Sequence, residues 1–143
     1  MKRILLSGLA AVMLTSCSIN VLNNATISPG IAFEVLKQET IGGREAESKQ
    51  VIYNQTQLND LYKELGWTNV PYVDFNKNNV VAIFMGQKST GGYSISVRKV
   101  SVDGDTATVY VKTTKPEGMA TMAITTPYTI TLIPKTKEVV VEE

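Results

Sequence analysis

The hydrophobic pattern opens with an unbroken run. Ile4 to Leu14 is apolar or small throughout, preceded by Lys2 and Arg3 and followed by Thr15, Ser16 and Cys17. Ser18 to Gly30 is rich in Ser and Asn, keeps no sustained period and ends in Pro29-Gly30, the composition of a tether. At Ile31 the period changes to two. Ile31, Phe33 and Val35 alternate with Ala32 and Glu34, which predicts a strand with one buried face. Gly42-Gly43 interrupts it. Arg44 to Gln50 is highly charged and expected to be exposed, and Val51-Ile52-Tyr53 predicts a short second strand.

One segment carries a helical period. Leu58, Leu61, Tyr62 and Leu65 share a face over Gln57 to Leu65, with Thr56 as the expected cap and Gly66 as the stop. Trp67 should pack on the helix end. Val70 to Phe75 contains Pro71 and predicts an extended connection. Val80 to Met85 is apolar without alternation, as in a central strand buried on both faces. Gly86 to Gly92 is a loop. Tyr93 to Val102 and Thr106 to Thr113 form a hairpin through Asp103-Gly104-Asp105. A three-residue loop there sets Val97 opposite Val111 and is the expected geometry; a two-residue turn would need a bulge near Arg98. Lys115 to Ala120 connects onward, and Tyr128, Ile130 and Leu132 alternate with threonines. Pro134 to Lys137 turns the chain into a last strand, Glu138 to Val141. One helix and about seven strands cannot build βαβ crossovers. The expected fold is α+β, mainly β: an antiparallel sandwich or open barrel with the single helix, 57–65, against it.

The first run ends too soon for a membrane helix. Eleven helical residues reach about 16 Å, roughly half a hydrocarbon core. A charged start, an apolar stretch and a small-residue exit describe a secretory signal peptide. Leu14-Thr15-Ser16-Cys17 resembles the lipobox of bacterial lipoproteins. That resemblance implies cleavage after Ser16 and a diacylglycerol on Cys17, giving an envelope protein anchored by several acyl chains. Ser18 is not the aspartate that typically retains such proteins in an inner membrane, so an outer-membrane address is favoured in a cell with two membranes. The expected organisation is a signal peptide over 1–16, a tether over 17–30 and a single β-rich domain over 31–143.

Composition then narrows the chemistry. The chain has no histidine and one cysteine. This rules out Ser-His-Asp and Cys-His sites, His/Cys zinc centres and an internal disulfide. Loss of Lys2 and Arg3 leaves 12 basic residues against 13 acidic, a formal −1, unlike a polybasic nucleic-acid binder. No cofactor is expected. The acidic pairs Glu45/Glu47 and Asp103/Asp105 leave a carboxylate-based envelope hydrolase as an alternative, although their setting in a charged segment and a turn is explained by solvation.

The most distinctive local sequence is Gly86-Gln87-Lys88-Ser89-Thr90-Gly91-Gly92-Tyr93. It is not a phosphate loop, because Gln87 stands where that motif needs glycine and a strand follows instead of a helix. Ser96 to Lys99 has the Ser-x-x-Lys spacing of penicillin-recognising enzymes, but on a strand those residues face opposite ways. The glycines can serve a tight loop by taking positive φ. Alternatively, Gly91-Gly92 let a partner backbone approach while Tyr93 is held at the edge. Thr125-Thr126-Pro127-Tyr128 opens a strand, and Tyr128 fits either core or rim.

Gly86 with Ser89-Thr90-Gly91-Gly92-Tyr93 and the alternating Ile95 and Val97 resembles the signature of the PrcB C-terminal domain family. Pro127-Tyr128 and Ile133-Pro134-Lys135 are similar to its closing segment, and the likeness spans roughly Val51 to Val141. The namesake is a lipoprotein subunit of a cell-surface serine-protease complex. The resemblance implies no catalytic residues. It marks Thr90, Gly91, Gly92, Tyr93, Pro127 and Tyr128, joined by Lys88 and Ser89 from the loop, as candidates for a shared surface or a shared fold constraint. The expectation is a non-enzymatic, membrane-tethered module that binds an extracytoplasmic protein such as a protease. A protease inhibitor using the 86–93 loop is the alternative.

Overall fold

The computed structural model describes residues 31–119 and 121–143. The expected signal peptide over 1–16, the expected tether over 17–30 and Cys17 lie outside them. Seven strands and one helix follow in the order β1 (Glu34–Glu39), β2 (Ser48–Ile52), α1 (Gln55–Glu64), β3 (Asn78–Phe84), β4 (Ser94–Asp103), β5 (Thr106–Thr114), β6 (Tyr128–Pro134) and β7 (Glu138–Glu142). They form a sandwich of two sheets, ordered β1-β6-β3-β2 and β4-β5-β7. Neither sheet closes into a barrel. All pairings are antiparallel except β5 with β7.

Helix, four-stranded sheet and three-stranded sheet stack as three layers with two cores. The apolar run of β3 supplies both. Val80, Ala82 and Phe84 pack with Leu58, Leu61 and Tyr62 of α1 and with Tyr128 and Ile130 of β6. Val81 and Ile83 face the second sheet, against Ile95, Val97 and Val100 of β4 and Ala107, Val109 and Val111 of β5. A strand covered on both faces has no place for polar alternation, so its sequence reads as a continuous run. Each such buried aliphatic or aromatic side chain contributes about 1.5–3 kcal/mol.

Three details correct the sequence-based expectations. The helix begins at Gln55, and Asn54 caps it in place of Thr56: Asn54 Oδ1 accepts from Gln57 N at 2.8 Å. Gln57 Oε1 in turn accepts from Tyr53 N at 2.9 Å, a near relative of the capping box. The first strand starts later than Ile31. Ile31 and Val35 are exposed and Leu36 turns into the helix-side core, because β1 is an edge strand whose register with β6 shifts between Val35 and Lys37. The second strand begins within the charged segment, at Ser48, because only alternate residues of an edge strand need be apolar.

The β4–β5 hairpin takes the two-residue turn. Asp103 pairs with Thr106, and the register shifts between Val97 and Lys99. Arg98 is the extra residue of this bulge. It keeps Val97 opposite Val111 while Val100 meets Val109, so all four stay buried. If Arg98 were instead paired in an unbulged ladder set by the same turn, even-numbered positions would face inward along the whole of β4, exposing Ile95 and Val97.

Candidate protein-docking site

The loop between β3 and β4 is built against the long connection from β5 to β6. Lys88 and Thr125 form an antiparallel bridge, with Lys88 N donating to Thr125 O at 2.7 Å and Thr125 N to Lys88 O at 3.0 Å. Gly91 N donates to Thr121 O at 2.9 Å. Thr125 Oγ1 donates to Thr90 O at 2.9 Å. On its other flank the loop is tied to the segment before β2 by Gln87 N to Glu45 O, 2.9 Å.

These contacts explain the glycines. A Cβ on Gly91 would collide with Thr121 Oγ1. Gly92 has φ +89°, and a Cβ there would lie 2.7 Å from Pro116 Cβ. Gly86, at φ +82°, would bring one within 2.8 Å of Glu47 N. The close backbone approach inferred from Gly91-Gly92 is therefore made by the protein's own 116–121 segment.

The structure distributes the candidate residues unevenly. Ser89 and Gly92 are exposed, Lys88, Thr90 and Tyr93 are half-buried, and Gly91 is buried. The Lys88 ammonium lies 5.6 Å from the Tyr93 ring centre. Pro127 and Tyr128 are buried. Pro127 O accepts from Met85 N at 2.9 Å, continuing the β3–β6 pairing beyond the strand ends. Tyr128 stacks with Phe84 at 5.6 Å, and its hydroxyl accepts from Trp67 Nε1 at 2.9 Å. Pro127 and Tyr128 thus fix the fold beneath the loops, and the exposed surface belongs to the loops themselves.

The connection contributes side chains that the sequence reading did not single out. Met119 is 101% exposed, Met122 88% and Ile124 61%. Ile41 is also exposed, on a turn anchored to the same segment by Thr126 N to Thr40 O at 2.9 Å and by Gly42 N and Gly43 N to Thr126 Oγ1 at 3.0 and 2.9 Å. The available signal was the apolar composition of Met119 to Ile124 in a connection outside the strand pattern. Met122 and Ile124 lie between Thr121 and Thr125, whose backbones are both hydrogen-bonded to the 86–93 loop.

Beside the loops, the two sheets splay around a groove of about 540 Å³. Ile83, Ile95 and Val111 form its apolar floor, with Lys49, Lys88 and Lys115 and Glu47, Glu142 and Glu143 around it. Glycoside hydrolysis requires a general acid with a raised pKa, and desolvation is the usual cause. These three glutamates are all exposed. Asp103 and Asp105 are exposed in the distant β4–β5 turn.

Residues 79–134 match the family described as PrcB C-terminal. This is the family that the loop and closing segment resemble. The PrcB C-terminal match runs from β3 to the end of β6, and so contains both loops and the strands that carry them. An uncharacterized protein of Methanocaldococcus jannaschii is 29% identical over 118 residues, covering 76% of this chain and 68% of its own. No solved structure matches.

Proposed function

We propose that this protein is a lipid-anchored envelope module that binds an extracytoplasmic protease and supports its assembly without catalysing a reaction. The observation carrying this reading is the exposure of Met119, Met122 and Ile124 on a connection clamped to the 86–93 loop. A backbone already held in place spares the cost of ordering the connection on docking. Methionine adapts readily to an irregular partner surface. The PrcB C-terminal match over these loops agrees with association in a protease complex, and the lipobox-like ending at Cys17 agrees with the anchor.

The test uses the full chain, titrated against the serine protease of the same envelope and followed by co-migration and by hydrolysis of a small substrate. A complex with undiminished hydrolysis is expected. Full burial of one such side chain is worth about 1.5–3 kcal/mol, so Met122→Gln with Ile124→Thr should weaken the complex at least about tenfold in a variant that remains folded. Unchanged affinity would remove the connection from the interface. Binding that blocks hydrolysis would favour the inhibitor reading.

A further inference from the structure

The sandwich sets four strands against three. β2 ends one sheet and β7 the other, and among the described residues neither pairs with a strand on its outer side. These two of the four edge strands differ in chemistry. β2 reads Ser-Lys-Gln-Val-Ile, with a lysine of the kind that discourages strand addition. β7 reads Glu-Val-Val-Val-Glu. Three consecutive β-branched residues favour extended backbone, and neither lysine nor proline blocks the middle.

The faces of β7 specify what can pair with it. Val139 and Val141 are half-buried against the second core, whereas Glu138, Val140 and Glu142 are exposed on the outer face. A second copy pairing antiparallel about Val140 would set Glu138 against Glu142 at both ends. A parallel copy in register would stack glutamate on glutamate. Like charges directly opposite one another destabilise a strand pair.

We propose that β7 accepts an extended segment of a partner protein as a fourth strand of the second sheet. The segment carries basic residues opposite Glu138 and Glu142 and apolar residues opposite Val139 and Val141. Main-chain hydrogen bonds supply the attachment and the alternate side chains supply the selection, as in other strand-addition complexes. The added strand covers the open side of the groove and equalises the two sheets. This surface is distinct from the apolar connection, and its occupancy does not depend on protease binding there.

The probes are two labelled nine-residue peptides, one centred on Lys-Val-Thr-Val-Lys and one on Glu-Val-Thr-Val-Glu, titrated into the full chain at low salt. The basic peptide should bind at least tenfold more tightly and should slow exchange of the outward-facing amides of Val139 to Glu142. The double variant Glu138→Lys and Glu142→Lys, with its circular dichroism unchanged, should invert the preference. Equal affinity for the two peptides, or no inversion in the folded variant, overturns the proposal. So does protection of every β7 amide before peptide is added, which would mean that the chain covers its own edge. Protection that rises with protein concentration would also overturn it, in favour of a second copy.

Discussion

Tyr128 shows how one side chain joins the layers. Its ring lies in the helix-side core against Phe84, and its hydroxyl receives the Trp67 indole N–H. Burial pushes the phenol pKa above its ordinary value, opposed in part by the Trp67 hydrogen bond; burial also raises that of Tyr62. The folded state therefore holds the neutral phenols in preference to the phenolates. Their contribution is fully present below about pH 10, the ordinary tyrosine value, and is lost as pH rises through the raised folded values. Tyr128→Phe should lower stability at neutral pH by about 0.5–1.5 kcal/mol, since the indole loses its acceptor. It should also make the alkaline loss of stability shallower, because one titrating group is gone. Urea titrations from pH 7 to 11 check both. A variant as steep as the wild type above pH 10 would place the titration elsewhere. The sequence left Tyr128 open between core and rim because threonine neighbours accompany both settings. Thr129 and Thr131 turn out to be buried as well, with Thr129 Oγ1 reaching Lys37 O at 3.4 Å and Thr131 Oγ1 at 3.3 Å.

Among the elements, those with a strong period were legible. The helix face, the doubly buried β3 and the existence of the hairpin all follow from where apolar residues recur. What the pattern could not supply was a choice between local geometries that bury the same residues. A three-residue loop and a two-residue turn with a bulge both bring Val97 opposite Val111, and the paired register of Asp103 with Thr106 selects the second. This gives an expectation for the element. Deleting Arg98 removes the extra residue without turning Ile95 or Val97 outward, so the domain should still fold. The loss should be near 0.5–1 kcal/mol, the usual worth of an exposed cation–aromatic contact, since Arg98 lies 5.3 Å from the Tyr110 ring centre. Denaturant midpoints and near-ultraviolet circular dichroism of the deletion variant measure this. A collapse of several kcal/mol would show that the bulge itself holds the hairpin in place. The connection from Met119 to Ile124 was less legible because Met119, Met122 and Ile124 are mostly exposed, and periodicity reports only burial.

For the whole molecule, the proposed anchor and the proposed surfaces make separate demands. Cys17→Ser should move the protein from the membrane fraction to the soluble fraction and leave protease binding by the purified domain surface intact, as read by fractionation, intact mass and titration. An unmodified chain starting at Met1 in wild-type cells would contradict the anchor alone. The arrangement of strands has another consequence, for timing. Among the described residues β1 pairs only with β6, and β6 also supplies the inner partner of β3. The four-stranded sheet therefore cannot assemble on the ribosome until almost all of the domain has been translated. Such non-local pairing belongs to folding times of milliseconds to seconds. A nascent chain with this strand order lacks its finished four-stranded sheet until near the end of synthesis, a delay that the proposed export of an anchored chain would exploit.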